Sequence, residues 1–133
     1  MMQNPPASAL IILAHGSRDA AWRAPFEALA QRLRKADSQR PVACAYLQLC
    51  APDLPQACAQ LLAAGCTHIV IAPMFLGLGT HMRQDLPAHI ASLQAAHPHC
   101  RFSLLQVLGD NPAMQALMAE HLERELAQLL PQK

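Results

Sequence analysis

Two short runs of consecutive apolar residues, Ala9-Leu-Ile-Ile-Leu-Ala14 and Ile69-Val-Ile-Ala-Pro73, constrain this chain more than any other feature. Each runs straight into a glycine-containing loop, and continuous apolarity over so few residues is the pattern of a strand covered on both faces. Together with two further β-like runs they give four strands, Ser8–Ala14, Val42–Leu49, His68–Pro73 and Arg101–Val107, alternating with four helix-like stretches. Such alternation predicts an α/β domain whose parallel strands are joined by right-handed crossovers. For four strands the common doubly wound order is 2-1-3-4, with helices on both faces and the two apolar runs at the centre.

The helices show end signals of their own. Trp22, Phe26, Leu29 and Leu33 recur at helical spacing, which predicts a first helix from about Ala20 or Ala24 to Lys35, with Pro25 confined to its first turn. Asp53-Leu-Pro-Gln56 reads as a capping box that opens a second helix, and Gly65 stops it. A third helix is expected from about Asp85 to Ala96, ahead of Pro98. Asp110-Asn111-Pro112 caps a fourth, which carries Met114, Leu117, Met118, Leu122 and Leu126.

Composition narrows the partners. A chain of 133 residues that is 53% hydrophobic supports one domain over residues 1–133, with residues 1–7 expected to be flexible. A net charge of +1 and a charged fraction of 14% provide neither a nucleic-acid footprint nor a polybasic membrane patch. The expected partner is therefore a small molecule or a second copy. No basic segment precedes an apolar leader and no apolar run reaches membrane-spanning length, so a soluble cytoplasmic protein is expected. The five cysteines form no Cys-x-x-Cys pair and read as free, mostly buried thiols.

The predicted strand order makes the first and third strands neighbours, with their carboxyl ends on the edge where open α/β sheets place ligands. His15 follows the first strand and His81 lies in the loop beyond the third, while Gln48 marks the end of the second. An imidazole can ligate a metal or accept a proton near neutral pH, so two of them at one crevice suit chemistry that handles a metal ion and removes protons. His68, His89 and His121 read as structural. The His97-Pro-His99-Cys100 cluster falls at the opposite, amino edge. A His-Gly pair after a strand also occurs in histidine phosphatases, but Ala14 stands where those enzymes have arginine.

Three segments carry a family resemblance: Ala14-His-Gly-Ser-Arg-Asp19, Tyr46-Leu-Gln-Leu-Cys-Ala-Pro-Asp-Leu-Pro55 and Pro73-Met-Phe-Leu-Gly-Leu-Gly-Thr-His-Met-Arg-Gln-Asp-Leu-Pro87. In order and spacing they resemble the short-form sirohydrochlorin cobaltochelatases, relatives of the ferrochelatases. The resemblance implies a class II chelatase that works without ATP or any nucleotide. Its homodimer would insert a divalent metal, Co²⁺ or else Ni²⁺ or Fe²⁺, into a sirohydrochlorin-type tetrapyrrole. His15 and His81 match the family's metal-site histidines and would act as ligands and proton acceptors. Ser17, Arg18, Gln48, Met74, Gly79, Thr80, Met82 and Arg83 would bind the tetrapyrrole, with Arg18 and Arg83 clamping its carboxylates and Met74 and Met82 facing the ring. Ser17 reads equally well as a helix cap. The homodimer would cover the loop residues Met74, Phe75, Leu76 and Leu78, which are expected to be exposed. Gln48 and Gln84 stand where the family usually carries glutamate. An amide offers no negative oxygen, so a tetrapyrrole- or metal-binding protein without chelatase activity is the alternative.

Overall fold

The computed structural model describes residues 7–131. Four strands, β1 (Ser8–Ala14), β2 (Val42–Tyr46), β3 (His68–Pro73) and β4 (Arg101–Leu104), form one parallel sheet in the order β2-β1-β3-β4. They alternate with α1 (Ala20–Ala36), α2 (Leu54–Ala63), α3 (Thr80–Ala96) and α4 (Pro112–Leu129), the last preceded by a 3-10 turn over Leu108–Asp110. The expected α/β doubly wound domain is what the chain adopts. The flexibility expected of residues 1–7 concerns, for residues 1–6, a segment outside the described residues. Ala7 is tied to the body through its carbonyl, which accepts from the Thr67 and His68 amides.

Side chains alternate across the sheet with the two-residue period of extended backbone. Ala9, Ile11 and Leu13 of β1 and Ile69 and Ile71 of β3 face one layer, where Leu54, Ala57, Cys58 and Leu61 of α2 and Leu86 and Leu93 of α3 close over them. Ile12 and Ala14 of β1, with Val42, Cys44 and Tyr46 of β2, face the other layer under Trp22, Phe26, Leu29 and Leu33 of α1. The Tyr46 hydroxyl donates to Glu27 of that helix at 3.2 Å, and burial raises its pKa above the ordinary phenol value.

Several boundaries differ from the sequence expectation. β2 stops at Tyr46 instead of Leu49, and β4 at Leu104 instead of Val107; the first residues beyond each, Leu47, Gln48 and Leu105, still donate to the neighbouring strand or its loop while the chain passes into the edge loops. α1 starts at Ala20, capped by Asp19 through its side chain, so Pro25 lies inside the helix and not in its first turn. α3 starts at Thr80 rather than near Asp85 and holds Pro87 well inside. In both helices a packed apolar face outweighs the one hydrogen bond that proline removes. The capping box of Asp53 and Gln56 and the Asn111 cap of α4 form as expected.

One expectation holds only by half. β3 has the apolar run of a strand covered on both faces, yet Val70 and Ala72, on the side away from α2 and α3, are only partly buried. α4 does not cover them: it has no buried residue and meets the body chiefly at the 3-10 turn.

Candidate active site at the carboxyl edge of the sheet

Parallel strands deliver all their carboxyl ends to one edge, and three connections knit that edge together. The Leu47 amide donates to the Ala14 carbonyl, the Gln48 amide to the His15 carbonyl and the Met74 amide to the Leu13 carbonyl, at 3.0, 3.0 and 2.8 Å. The backbone of Gln48 is thus paired directly with that of His15, although β2 has already ended.

Gly16 makes this approach possible. Its φ is +102°, and a Cβ there would land on the Gln48 carbonyl oxygen. Only glycine tolerates both conditions. The turn leaves the His15 side chain exposed, its ring resting on Phe75 with centroids 4.5 Å apart. Phe75 is 4% exposed, so the histidine is held from beneath by the core.

His81 arrives differently. It belongs to the first turn of α3 and not to the preceding loop as the sequence suggested, together with Thr80, Met82 and Arg83. Gly79 is the residue at the helix start and supplies no side-chain cap. Arg83 fastens this end of the helix down: its two terminal nitrogens donate to Asp110 at 2.6 and 3.0 Å, and Nε donates to the Leu78 carbonyl. The Arg83 hydrogen bonds hold the Asp110 carboxyl below its ordinary range. The fork assigned to a substrate carboxylate is therefore already engaged within the chain. Arg18, by contrast, is exposed and takes part in none of the ion pairs of the described residues.

Ser17 behaves as a turn residue, its hydroxyl accepting from the Asp19 amide at 3.0 Å while its carbonyl accepts from Arg23. Of the four loop residues expected to be exposed, only Leu76 is, at 69%; Phe75 is buried under His15, and Met74 and Leu78 are half-buried. The sequence reading missed Leu49, which stands on the same edge at 52% exposure with a left-handed φ of 69°. A bulky non-glycine residue held there is strained, and such strain concentrates at functional sites. It also read Asp110 only as part of the α4 cap and missed its pairing with Arg83.

Among the described residues, no three His, Cys, Asp or Glu side chains lie close enough to hold a metal ion together. His68 is satisfied structurally by Ser103 across β3 and β4 at 2.8 Å. His97 caps the end of α3 against Phe102. A cavity of about 420 Å³ between α2 and α3 is lined by Leu54, His89, Leu93 and His97 among others, and includes neither His15 nor His81. The loops at this edge leave Leu49 and Leu76 exposed beside the exposed His15.

Residues 9–125 match the CbiX family. The chain belongs to the CbiX family. Its curated relatives include the sirohydrochlorin cobaltochelatase of Methanothermobacter thermautotrophicus, 31% identical over 88 residues, which are 66% of this chain and 60% of the relative. That of Saccharolobus solfataricus is 33% identical over 78 residues, 59% of each chain. This CbiX-family chain spans roughly 60% of the length of the curated relatives it matches. The crystal structure of a CbiX protein from Marinobacter aquaeolei VT8 superposes with a TM-score of 0.78 at 32% identity, over 91% of this chain and 98% of that one. The sirohydrochlorin chelatase SirB of Bacillus subtilis subspecies spizizenii, solved with cobalt, shares the fold at a TM-score of 0.73 and 21% identity, over 89% of this chain and 50% of its own. No helix among the described residues is long and apolar enough to cross a membrane.

Proposed function

We propose that this CbiX-family chain is a cytoplasmic, ATP-independent chelatase that inserts a divalent metal into sirohydrochlorin, with Co²⁺ first among the candidates and Ni²⁺ and Fe²⁺ after it. The observation that carries the reading is the exposed imidazole of His15, propped on the core at the carboxyl edge that the first turn of α3, with His81, also borders. Relatives named sirohydrochlorin cobaltochelatase support the substrate class.

The reaction exchanges two pyrrole N–H protons for one M²⁺, so charge balances without nucleotide or redox partner. His15 and His81 deliver the metal through imidazole nitrogen, which suits cobalt, nickel and iron alike, and take up the departing protons before passing them to water. Met74, Leu76, Leu78 and Met82 give the flat ring an apolar shelf, while Arg18 meets its acidic side chains. Ser17 shapes the His15 turn, and Gly79 and Thr80 set the start of α3. Arg83 holds that start in place through Asp110 and positions His81. One chain presents only one wall to a flat macrocycle, so the working form is a homodimer.

A second reading, binding of a tetrapyrrole or metal without insertion, is favoured by Gln48 and by the lack of a third ligand in the described residues. One assay separates the two. Purified protein is mixed with sirohydrochlorin and Co²⁺, Ni²⁺ or Fe²⁺ in turn, and the absorbance is followed. Catalytic turnover that is lost in His15→Ala and His81→Ala, with folding unchanged, supports the chelatase. A spectral shift that stops at one equivalent of tetrapyrrole favours the binding protein.

A further inference from the structure

α4 is an 18-residue helix with no buried residue. From Ala119 onward every described position is exposed. Yet its sequence is not that of a solvated helix. Met114, Met118, Leu122 and Leu126 recur every four residues and form one stripe with Leu129, and Leu122, Leu126 and Leu129 are 60, 45 and 80% exposed. A lone helix of this length is marginal in water and is ordinarily held by burial of such a stripe.

The same chain has an empty seat of matching character. The sheet face that α1 covers over β1 and β2 continues over β3 and β4 as Val70, Ala72 and Ser103, all only partly buried, and Leu105, 49% exposed. In a doubly wound sheet of this order, a helix following the last strand belongs there, beside α1. The chain's own α4 does not lie on it, and its stem is held at the loop after β3. The Gly109 amide donates to the Phe75 carbonyl, a Cβ on Gly109 would strike the backbone of Leu76, and the Gln115 side chain donates back to the Gly109 carbonyl. Met114 touches the rim of the seat, in a cavity of about 310 Å³ shared with Ala72, Met74 and Leu105, and the rest of the helix leaves it.

We infer that two copies of this chain exchange α4, each helix lying across the bare β3–β4 face of the other beside its α1. This deepens the homodimer reading above and rests on it. Charge agrees with the pairing. α1 carries Arg23, Arg32, Arg34 and Lys35 against the single Glu27, whereas α4 carries Glu120, Glu123 and Glu125 against the single Arg124. Area agrees as well: with on the order of 100 Å² of apolar surface per Leu or Met side chain, two such seats bury on the order of 1,500 Å², the size of a stable complex. The exchange also accounts for the apolar run of β3, which acquires its second cover only in the pair.

The test measures oligomeric state by sedimentation equilibrium at neutral pH, without metal or tetrapyrrole. The full chain is expected at twice its 14.4 kDa. A helix variant, Leu122→Lys with Leu126→Lys, and a sheet variant, Val70→Lys with Leu105→Lys, should each raise the dimer dissociation constant at least about 100-fold. An equimolar mixture of the two keeps one intact helix on one intact seat and should re-associate. If the double sheet variant fails to fold, as judged by circular dichroism, Leu105→Lys alone, at an exposed position, serves in its place. A sheet variant that dimerises like wild type means that helices pair with each other, and the exchange is overturned while the dimer stands. A mixture no more associated than its components overturns the exchange too. A monomeric wild-type chain at tens of micromolar overturns both the exchange and the homodimer, and metal insertion is judged separately by its own assay.

Discussion

The imidazole of His15 lies against the ring of Phe75 with centroids 4.5 Å apart and planes tilted by 54°. The two residues belong to different loops, one after β1 and one after β3, and only Phe75 is buried. A solvent-facing group is thereby aimed by the hydrophobic core, with no hydrogen bond to its ring from the other described residues.

Replacing Phe75 tests that aim. Phe75→Ala should cost about 3–5 kcal/mol through the cavity it opens, which would confuse aim with stability. Phe75→Leu keeps most of the volume and should cost under about 1.5 kcal/mol. The expected outcome for Phe75→Leu is a modest fall in Tm with a severalfold loss of Co²⁺ affinity by calorimetry. An unchanged affinity would mean that His15 is placed by its own turn alone.

Gly16→Ala should be among the most damaging single-methyl changes in the chain. The added carbon meets the Gln48 carbonyl oxygen and the backbone must also keep a φ of +102°. Strain of this kind costs about 1–3 kcal/mol, and relieving it requires parting Gln48 from His15. Denaturant unfolding should show the loss, and the amide exchange of Gln48 should quicken. A variant as stable as wild type would mean that the loop relaxes freely.

Gln48→Glu places a negative oxygen on the loop paired with His15. Because carboxylate ligands strengthen metal binding at neutral pH, Co²⁺ affinity should rise by about tenfold or more. Equal affinities for the two proteins would put the side chain of position 48 away from the metal.

The Arg83–Asp110 pair has a defined pH signature. Hydrogen bonds from Arg83 lower the Asp110 pKa, so the pair contributes stability above the unfolded carboxylate value and loses it as pH falls through the folded one. Asp110→Asn should therefore melt slightly below wild type at pH 7, and the gap should close below about pH 4. The effect is small because both partners are solvent-exposed, at 48 and 32%. A gap that widens in acid would show that another group sets the difference.

The strand order and the central position of β1 and β3 were legible because continuous apolar runs and alternating elements leave few topologies open. His15 was legible as an edge residue for the same reason. The start of α3 was not: Pro87 imitates a first-turn proline and so a helix beginning near Asp85, while the packing of Met82, Leu86 and Ile90 that extends the helix backwards is a tertiary effect. The burial of Phe75 was hidden likewise, since its neighbour His15 lies far away in sequence. Arg83 looked free because its partner, Asp110, is a surface aspartate in a connection whose 3-10 turn has no sequence signal. The Asn111-Pro112 start of α4 was plain, but its lack of a seat within the chain depends on how Gly109 locks the stem, which sequence spacing does not reveal.

The register of β1, in which Ser8 pairs with His68 as well as the strand pairing with β2, has a consequence for biosynthesis. Of the four strands, β1 is made before the others and is an interior strand, and its second neighbour emerges only after α1, β2 and α2 have been made. Domains fold as units once such distant pairings are possible, and parallel pairings of this kind close slowly. Until β3 emerges, Phe75 cannot slide beneath His15, so a nascent chain arrested before that point has the imidazole but not its support. Assembly of the edge that carries His15 is in this sense a checkpoint on completion of the sheet.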